Sequence, residues 1–185
     1  MATSRTSRSW KKYYKKTKTR KIRNSIKFKI QEIKNSKEGL SSIFLEKCLT
    51  RVKNFIGVFP QDFLLYPQIF SPACFVVNLD VSSQPGSHWI AVYLDDSSVE
   101  VFDSLGLDPK TWTRKPTIFL NFIKSKLKNR KLRISQKLQT NSSNFCGVFS
   151  LFFLFLRPFL SFRQISNFFT SDLKLNEQLL YDFFQ

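Results

Sequence analysis

Three residues of this chain have side chains that could together perform nucleophilic chemistry: His88, Asp103 and Cys146. Imidazole takes and returns protons near neutral pH, and a thiol that gives up its proton becomes a strong nucleophile. Such a set could attack a carbonyl carbon. His88 stands in "PGSHWIAVYLDD" and is the only histidine of 185 residues. A lone histidine can also be a surface accident or a metal ligand. The metal reading fails for want of donors, because there is no second histidine. Cys48, Cys74 and Cys146 are too scattered for a zinc site or a disulfide framework, and they suit a reducing compartment. No metal and no organic cofactor is expected.

Strand period decides whether His88 and Asp103 share a face. "HWIAVYLD" and "SVEVFDS" read as strands, and "DDSS" between them is turn chemistry. With the turn centred between Asp96 and Ser97, facing residues have numbers summing to 193. Asp103 then faces Ile90 and His88 faces Leu105, so His88 and Asp103 lie on one face as diagonal neighbours. A one-residue slip would separate them. A carboxylate in that place fixes the imidazole tautomer and stabilises its protonated form. Cys146 follows the polar stretch "QTNSSN" and opens the apolar run "FCGVFSLFFLFL". A helix N-terminus there favours a thiolate, and Gly147 leaves space beside it. A buried core cysteine fits the same local sequence, so both readings stay open at this point. Cys48 and Cys74 sit within core patterns and read as packing.

The elements around these residues suggest one domain with a real core. The predicted order is a helix over "LSSIFLEKCLTRVKNF", with Ile43, Phe44, Cys48 and Val52 on one side and Ser41 as cap. The apolar, proline-broken stretch "FIGVFPQDFLLYPQIFSP" reads as a loop. "ACFVVNL" reads as a central strand and the hairpin of His88 and Asp103 follows it. Then come a helix over "PTIFLNFIKSKLKNR" with Pro116 near its start, an outer strand in "KLRISQKLQ", the apolar helix of Cys146, and an amphipathic tail helix behind a Ser-Asp cap. The expected fold class is α+β, a mainly antiparallel central sheet flanked by helices, with Cys146 at the N-terminus of a buried central helix. The apolar run spans 12 residues, too short to cross a bilayer, and no membrane partner or export signal is expected.

Charge is unevenly spread. The formal net charge is +17, and residues 1–37 carry 14 Lys and Arg against the single acid Glu32. The expected organisation is a flexible basic arm over residues 1–38 and a folded domain over 39–185. Such a tail suits a polyanion, nucleic acid above all, or a nuclear import address. Lys11, Lys12, Lys15, Lys16, Arg20, Lys21 and Arg23 are the expected DNA-binding positions. "IRNSIKFKIQEI" within the arm is a candidate for a short strand or helix on docking. A second basic cluster, "KSKLKNRKLR" at 124–133, reads as a solvated face able to assist electrostatically.

"GSHWIAVYLDDSSVEVFDSLG" followed by "QTNSSNFCGVF" resembles the adenovirus protease family and its cousins, the SUMO-specific and related ubiquitin-like-protein proteases. The pattern there is His-Trp on a strand, an acid ending the next strand, then Gln, a short loop and Cys-Gly opening a buried helix. Gln139 stands seven residues before Cys146, a spacing similar to the adenoviral one. The resemblance covers residues 40–160. It implies Cys146 as nucleophile, His88 as general base and acid, Asp103 as orienter and Gln139 as a side-chain donor to the oxyanion hole. It also implies that Trp89 and Gly147 line the substrate site.

Three departures accompany the resemblance. The acid is Asp, as in SUMO proteases, where adenoviral enzymes mostly carry Glu. The His-to-acid interval of 15 residues implies a clipped hairpin. No cysteine lies between Asp103 and Cys146, so covalent activation by a disulfide-bonded peptide is not expected, whereas a non-covalent activating peptide and DNA are the cofactors implied. The leading expectation is a monomeric cysteine endopeptidase of a DNA virus or virus-like element, cleaving virion precursor proteins in the host nucleus and the virion. The alternatives are an isopeptidase acting on ubiquitin-like modifiers, an acetyltransferase of the same clan, and a non-catalytic basic DNA-binding virion protein on a protease fold.

Overall fold

The computed structural model describes residues 20–35, 38–65, 68–107 and 118–185. Helices α1 (Arg20–Asn35) and α2 (Ser42–Leu49) come first. Strand β1 (Phe55–Pro60), a 3-10 turn (Gln61–Leu65) and strands β2 (Ala73–Asn78), β3 (Trp89–Leu94) and β4 (Ser98–Phe102) follow. The chain ends with α3 (Ile118–Leu127), β5 (Lys131–Ile134), α4 (Cys146–Leu156), α5 (Phe162–Ser166) and α6 (Leu173–Phe184). The α+β class is as expected. Strands stand in the sheet in sequence order. The β2–β3–β4 centre is antiparallel, and the outer pairs β1/β2 and β4/β5 are parallel. Connection length explains the difference. A tight turn joins β3 to β4, whereas each parallel pair is joined by a crossover long enough to return the chain to the same end.

Alternation assigns the two faces of the sheet. Phe75, Val77, Ile90, Val92, Val99 and Val101 pack on one side with Phe119, Phe122 and Ile123 of α3. Cys74, Val76, Ala91 and Phe102 pack on the other against α4, with α1, α2 and α6 around it. All eleven residues of α4 are buried, as its apolarity on every face requires, and its one hydroxyl, Ser150 Oγ, donates to the Cys146 carbonyl at 3.0 Å. Its phenylalanines interlock with neighbours, Phe153 stacking on Phe102 at 4.6 Å and Phe152 meeting Phe183 edge-on at 4.8 Å. Among the described residues no helix is long and apolar enough to cross a membrane.

Two expectations are corrected. The stretch read as a proline-broken loop contains β1 and the 3-10 turn. Pro60 ends β1, at the sheet's edge, where a missing N–H costs no ladder bond. In α2 the buried face is Leu45, Cys48 and Leu49, continued by Val52, while Ile43 is 80% exposed. The spacing 45, 48, 49, 52 is the helical one, and the cap by Ser41, which accepts from the Phe44 N–H, is present as expected. Residues 20–35 of the basic segment form α1, over the stretch read as a candidate strand or helix. Its Ile26, Ile30 and Ile33 are buried, and Gln31 meets the Tyr181 hydroxyl of α6. A stripe at i, i+4 and i+7 gives this basic segment an apolar face to seat.

Candidate active site

The β3/β4 register pairs Ala91 with Phe102, Val92 with Val101, Tyr93 with Glu100 and Leu94 with Val99. Every pair sums to 193, the register read from the sequence. His88 and Asp103 lie just past the ends of that ladder, and His88 Nε2 meets Asp103 Oδ1 at 2.7 Å. Both are buried. Asp103 is held from several directions. Its N–H donates to Ser135 Oγ at 2.8 Å, and its carboxylate accepts the N–H groups of Leu105 and Leu107 at 2.9 and 3.1 Å. The turn that aims those two N–H groups passes through Gly106 at φ +59°, where a Cβ would run into the Lys137 backbone. A carboxylate so clamped holds the imidazole plane by its Nε2 and leaves Nδ1 for proton exchange.

Cys146 is the first residue of α4. Its neighbour Phe145, at the N-cap, offers no side-chain oxygen, and no side-chain cap bond forms. The first-turn N–H groups are thereby left for another acceptor. Cys146 and His88 open onto one cleft of about 760 Å³. Burial pushes the His88 pKa down. The bond to Asp103 and the contact with Cys146 outweigh it and hold the imidazole up at about 9. Cys74 is the opposite case, since burial pushes its thiol up to about 12 and its S–H donates to the Lys53 carbonyl at 3.6 Å.

Because the raised pKa is that of the only histidine, one NMR signal reports it. An imidazole C–H titration is expected to show a midpoint near 9, and Asp103→Asn is expected to lower it, since the carboxylate raises it. A wild-type midpoint at or below the ordinary 6.5 would contradict this electrostatic account.

Gln139 is 1% exposed and also lines the cleft. Its Oε1 accepts from Ser104 Oγ at 2.7 Å, and its Nε2 donates to the Ser143 carbonyl at 3.0 Å. One amide N–H is spoken for, and the second is free to serve an acceptor in the cleft. Trp89 lines the cleft beside His88 and donates from Nε1 to the Leu40 carbonyl at 2.8 Å. Gly147 faces the packing instead, where a Cβ would lie 3.0 Å from Leu40 Cβ and 3.3 Å from Trp89 Cδ1. The glycine lets Leu40 and Trp89 close on the head of α4. Lys11, Lys12, Lys15 and Lys16 lie outside the described residues, and Arg20, Lys21 and Arg23 fall in the first turn of α1. Lys124, Lys128, Lys131, Arg133 and Lys137 are exposed. No group of three or more potential metal-binding side chains occurs among the described residues. Ser104, Ser135 and Leu40 escaped the sequence reading, because each acts through a contact with a residue far along the chain.

Residues 55–177, about two thirds of the chain, match the sequence model of the adenovirus endoprotease family. Among solved structures, the ASFV pS273R protease is similar to this chain at 20% identity and a TM-score of 0.52, with 80% of this chain and 68% of that one covered. The SUMO protease Ulp1 aligns at 11% identity and a TM-score of 0.43, with 90% and 95% covered. No curated protein sequence matches.

Proposed function

We propose, on the premise that this chain belongs to the adenovirus endoprotease family and is a cysteine endopeptidase, that catalysis runs through Cys146, His88, Asp103 and Gln139. The observation that carries this reading is the 2.7 Å His88–Asp103 bond set in one cleft with the cysteine that opens α4. His88 Nδ1 takes the Cys146 proton, and the resulting ion pair is favoured by Asp103 behind the ring. The thiolate attacks the scissile carbonyl. The oxyanion accepts from the free N–H of the Gln139 amide and from the backbone N–H of Cys146. Imidazolium then protonates the departing amine, and water, deprotonated by His88, hydrolyses the thioester.

A preorganised oxyanion donor is worth about 10²–10³ in kcat, so Gln139→Ala is expected to lower kcat by roughly that factor with KM little changed. Undiminished kcat would remove Gln139 from the reaction. The substrates proposed are virion precursor proteins with small residues such as Gly near the scissile bond, cut in the host nucleus and the virion by a monomer. Offering ubiquitin-like fusions beside Gly-rich capsid-type peptides separates this reading from an isopeptidase, because only the peptides should be cut efficiently.

DNA is the proposed polyanion partner, supported by the net charge of +17 and its concentration in residues 1–37. A non-covalent activating peptide is the second proposed cofactor. Removing residues 1–19 takes away seven Lys and Arg and spares α1. The truncated chain is expected to bind duplex DNA more weakly, with a shallower dependence on salt, while still cleaving peptide. Equal affinity at matched salt would refute the role of the tail.

A further inference from the structure

Gln139 lies in the irregular connection between β5 and α4, so neither a helix nor a strand ladder holds its backbone. The Ser104 carbonyl also accepts the N–H groups of Leu138 and Gln139, at 2.7 and 3.0 Å, which leaves the Leu138 carbonyl and the Thr140 N–H to be held from elsewhere. On one side the Leu138 carbonyl accepts from Asn176 Nδ2 at 3.1 Å. On the other, the Thr140 N–H and hydroxyl both donate to Glu177 Oε1, at 2.9 and 3.0 Å. Two consecutive residues of α6 thus grip the two peptide groups that bracket Gln139. Asn176 is itself fixed, since its Nδ2 donates to the Thr170 carbonyl at 2.9 Å and its Oδ1 accepts the Thr170 N–H at 2.8 Å.

The Ser104 carbonyl shares the grip on the Leu138 side, whereas the Thr140 side faces open space. A cavity of about 420 Å³, lined by Thr140, Ser143, Asn144, Glu177 and Tyr181 among others, lies between α6 and the loop that runs from Gln139 to Cys146. With open space there, the Thr140 side of the loop has room to shift once the bonds to Glu177 are gone. We infer that Glu177 and Asn176 are positioning residues for the oxyanion hole, acting through the backbone on either side of Gln139. This rests on the oxyanion role given to Gln139 above. The effect belongs in kcat, because a donor displaced by a fraction of an ångström fails the transition state more than the bound substrate.

The experiment is a set of kcat and KM values on a fluorogenic Gly-rich peptide for wild type, Glu177→Ala, Glu177→Gln, Gln139→Ala and the Gln139→Ala/Glu177→Ala double variant. Glu177→Ala is expected to lower kcat about 10–100-fold with KM within about 2-fold, as misplacement of a catalytic group does. Glu177→Gln keeps an oxygen for both Thr140 donors and should stay within about 3-fold of wild type. In the Gln139→Ala background Glu177→Ala should change kcat by less than about 2-fold, because residues acting through one group are not additive. Should Glu177→Ala melt below the assay temperature, Thr140→Val, which removes one donor, should show a smaller kcat loss that likewise vanishes without Gln139. Losses that multiply in the double variant, or that appear in KM alone, overturn the inference while the proposed mechanism stands. A wild type that cleaves no peptide overturns both.

Discussion

Cys146→Ala is expected to abolish peptide hydrolysis, by a factor on the order of 10⁴ or more, in a chain that still folds. The size follows from the division of labour. In the proposed mechanism the loss of the thiolate leaves His88 with no nucleophile to activate, and the remaining donors can only polarise the carbonyl. The folding half of the expectation rests on where Cys146 lies. It opens α4 at the edge of the cleft, is 7% exposed, and gives way to a residue with the best helix propensity. Initial rates together with circular dichroism and a melting curve test both halves. A folded Cys146→Ala variant that hydrolyses peptide at the wild-type rate would exclude Cys146 as nucleophile.

The second large effect is on stability and sits at the other end of α4. Glu100 has a fully buried side chain in β4, on the face that α4 covers. Arg157, just past the end of α4, binds it in bidentate fashion, Nε to Oε2 at 2.5 Å and Nη2 to Oε1 at 3.1 Å. The same guanidinium lies 4.2 Å from the Tyr93 ring centroid and reaches Asp95 at 3.5 Å. Removing one partner of a buried ion pair leaves an uncompensated charge, at a cost of about 3–5 kcal/mol. Arg133 also meets Glu100 at 3.0 Å and keeps part of the compensation. Arg157→Ala is therefore expected near the lower end, about 3 kcal/mol, or a melting point lower by roughly 6–12 °C for a chain of this size. Adding Glu100→Gln should recover part of the loss, since the stranded charge is then gone. A shift of under about 1 kcal/mol in Arg157→Ala, the range of exposed pairs, would show that this network is not a stabilising one.

What could be read in advance was what depends on period. Strand alternation and an even turn placed His88 and Asp103 on one face, and the structure has the same register. The nearly continuous apolarity of residues 145–156 foretold a buried helix, because such a segment has no face to give to water. Strand β1 was missed for a physical reason. An edge strand that pairs in parallel with a distant segment has no hairpin turn to announce it, and a proline at its end reads as a break. The supports of the site were invisible for a related reason. Ser104 on Gln139, Ser135 on Asp103 and Glu177 on Thr140 are polar residues in polar surroundings, and only the folded chain brings them together across 32 to 37 positions. Glu100 belongs to the same class, since nothing in "SVEVF" says that its acid will be sealed beneath a helix.

Stoichiometric alkylation tests whether Cys146 is the nucleophile of this cysteine endopeptidase. The native chain is treated with limiting iodoacetamide, the label is mapped by mass spectrometry over Cys48, Cys74 and Cys146, and residual hydrolysis of a Gly-rich peptide is read on the same samples. Cys48 and Cys74 are each 1% exposed, and the Cys74 thiol is held neutral by burial. Label is expected to enter Cys146 first, activity to fall in proportion to its occupancy, and His88→Ala to slow the labelling. Hydrolysis that survives full occupancy of Cys146, or that falls with label on Cys48 or Cys74 instead, would contradict that role for Cys146.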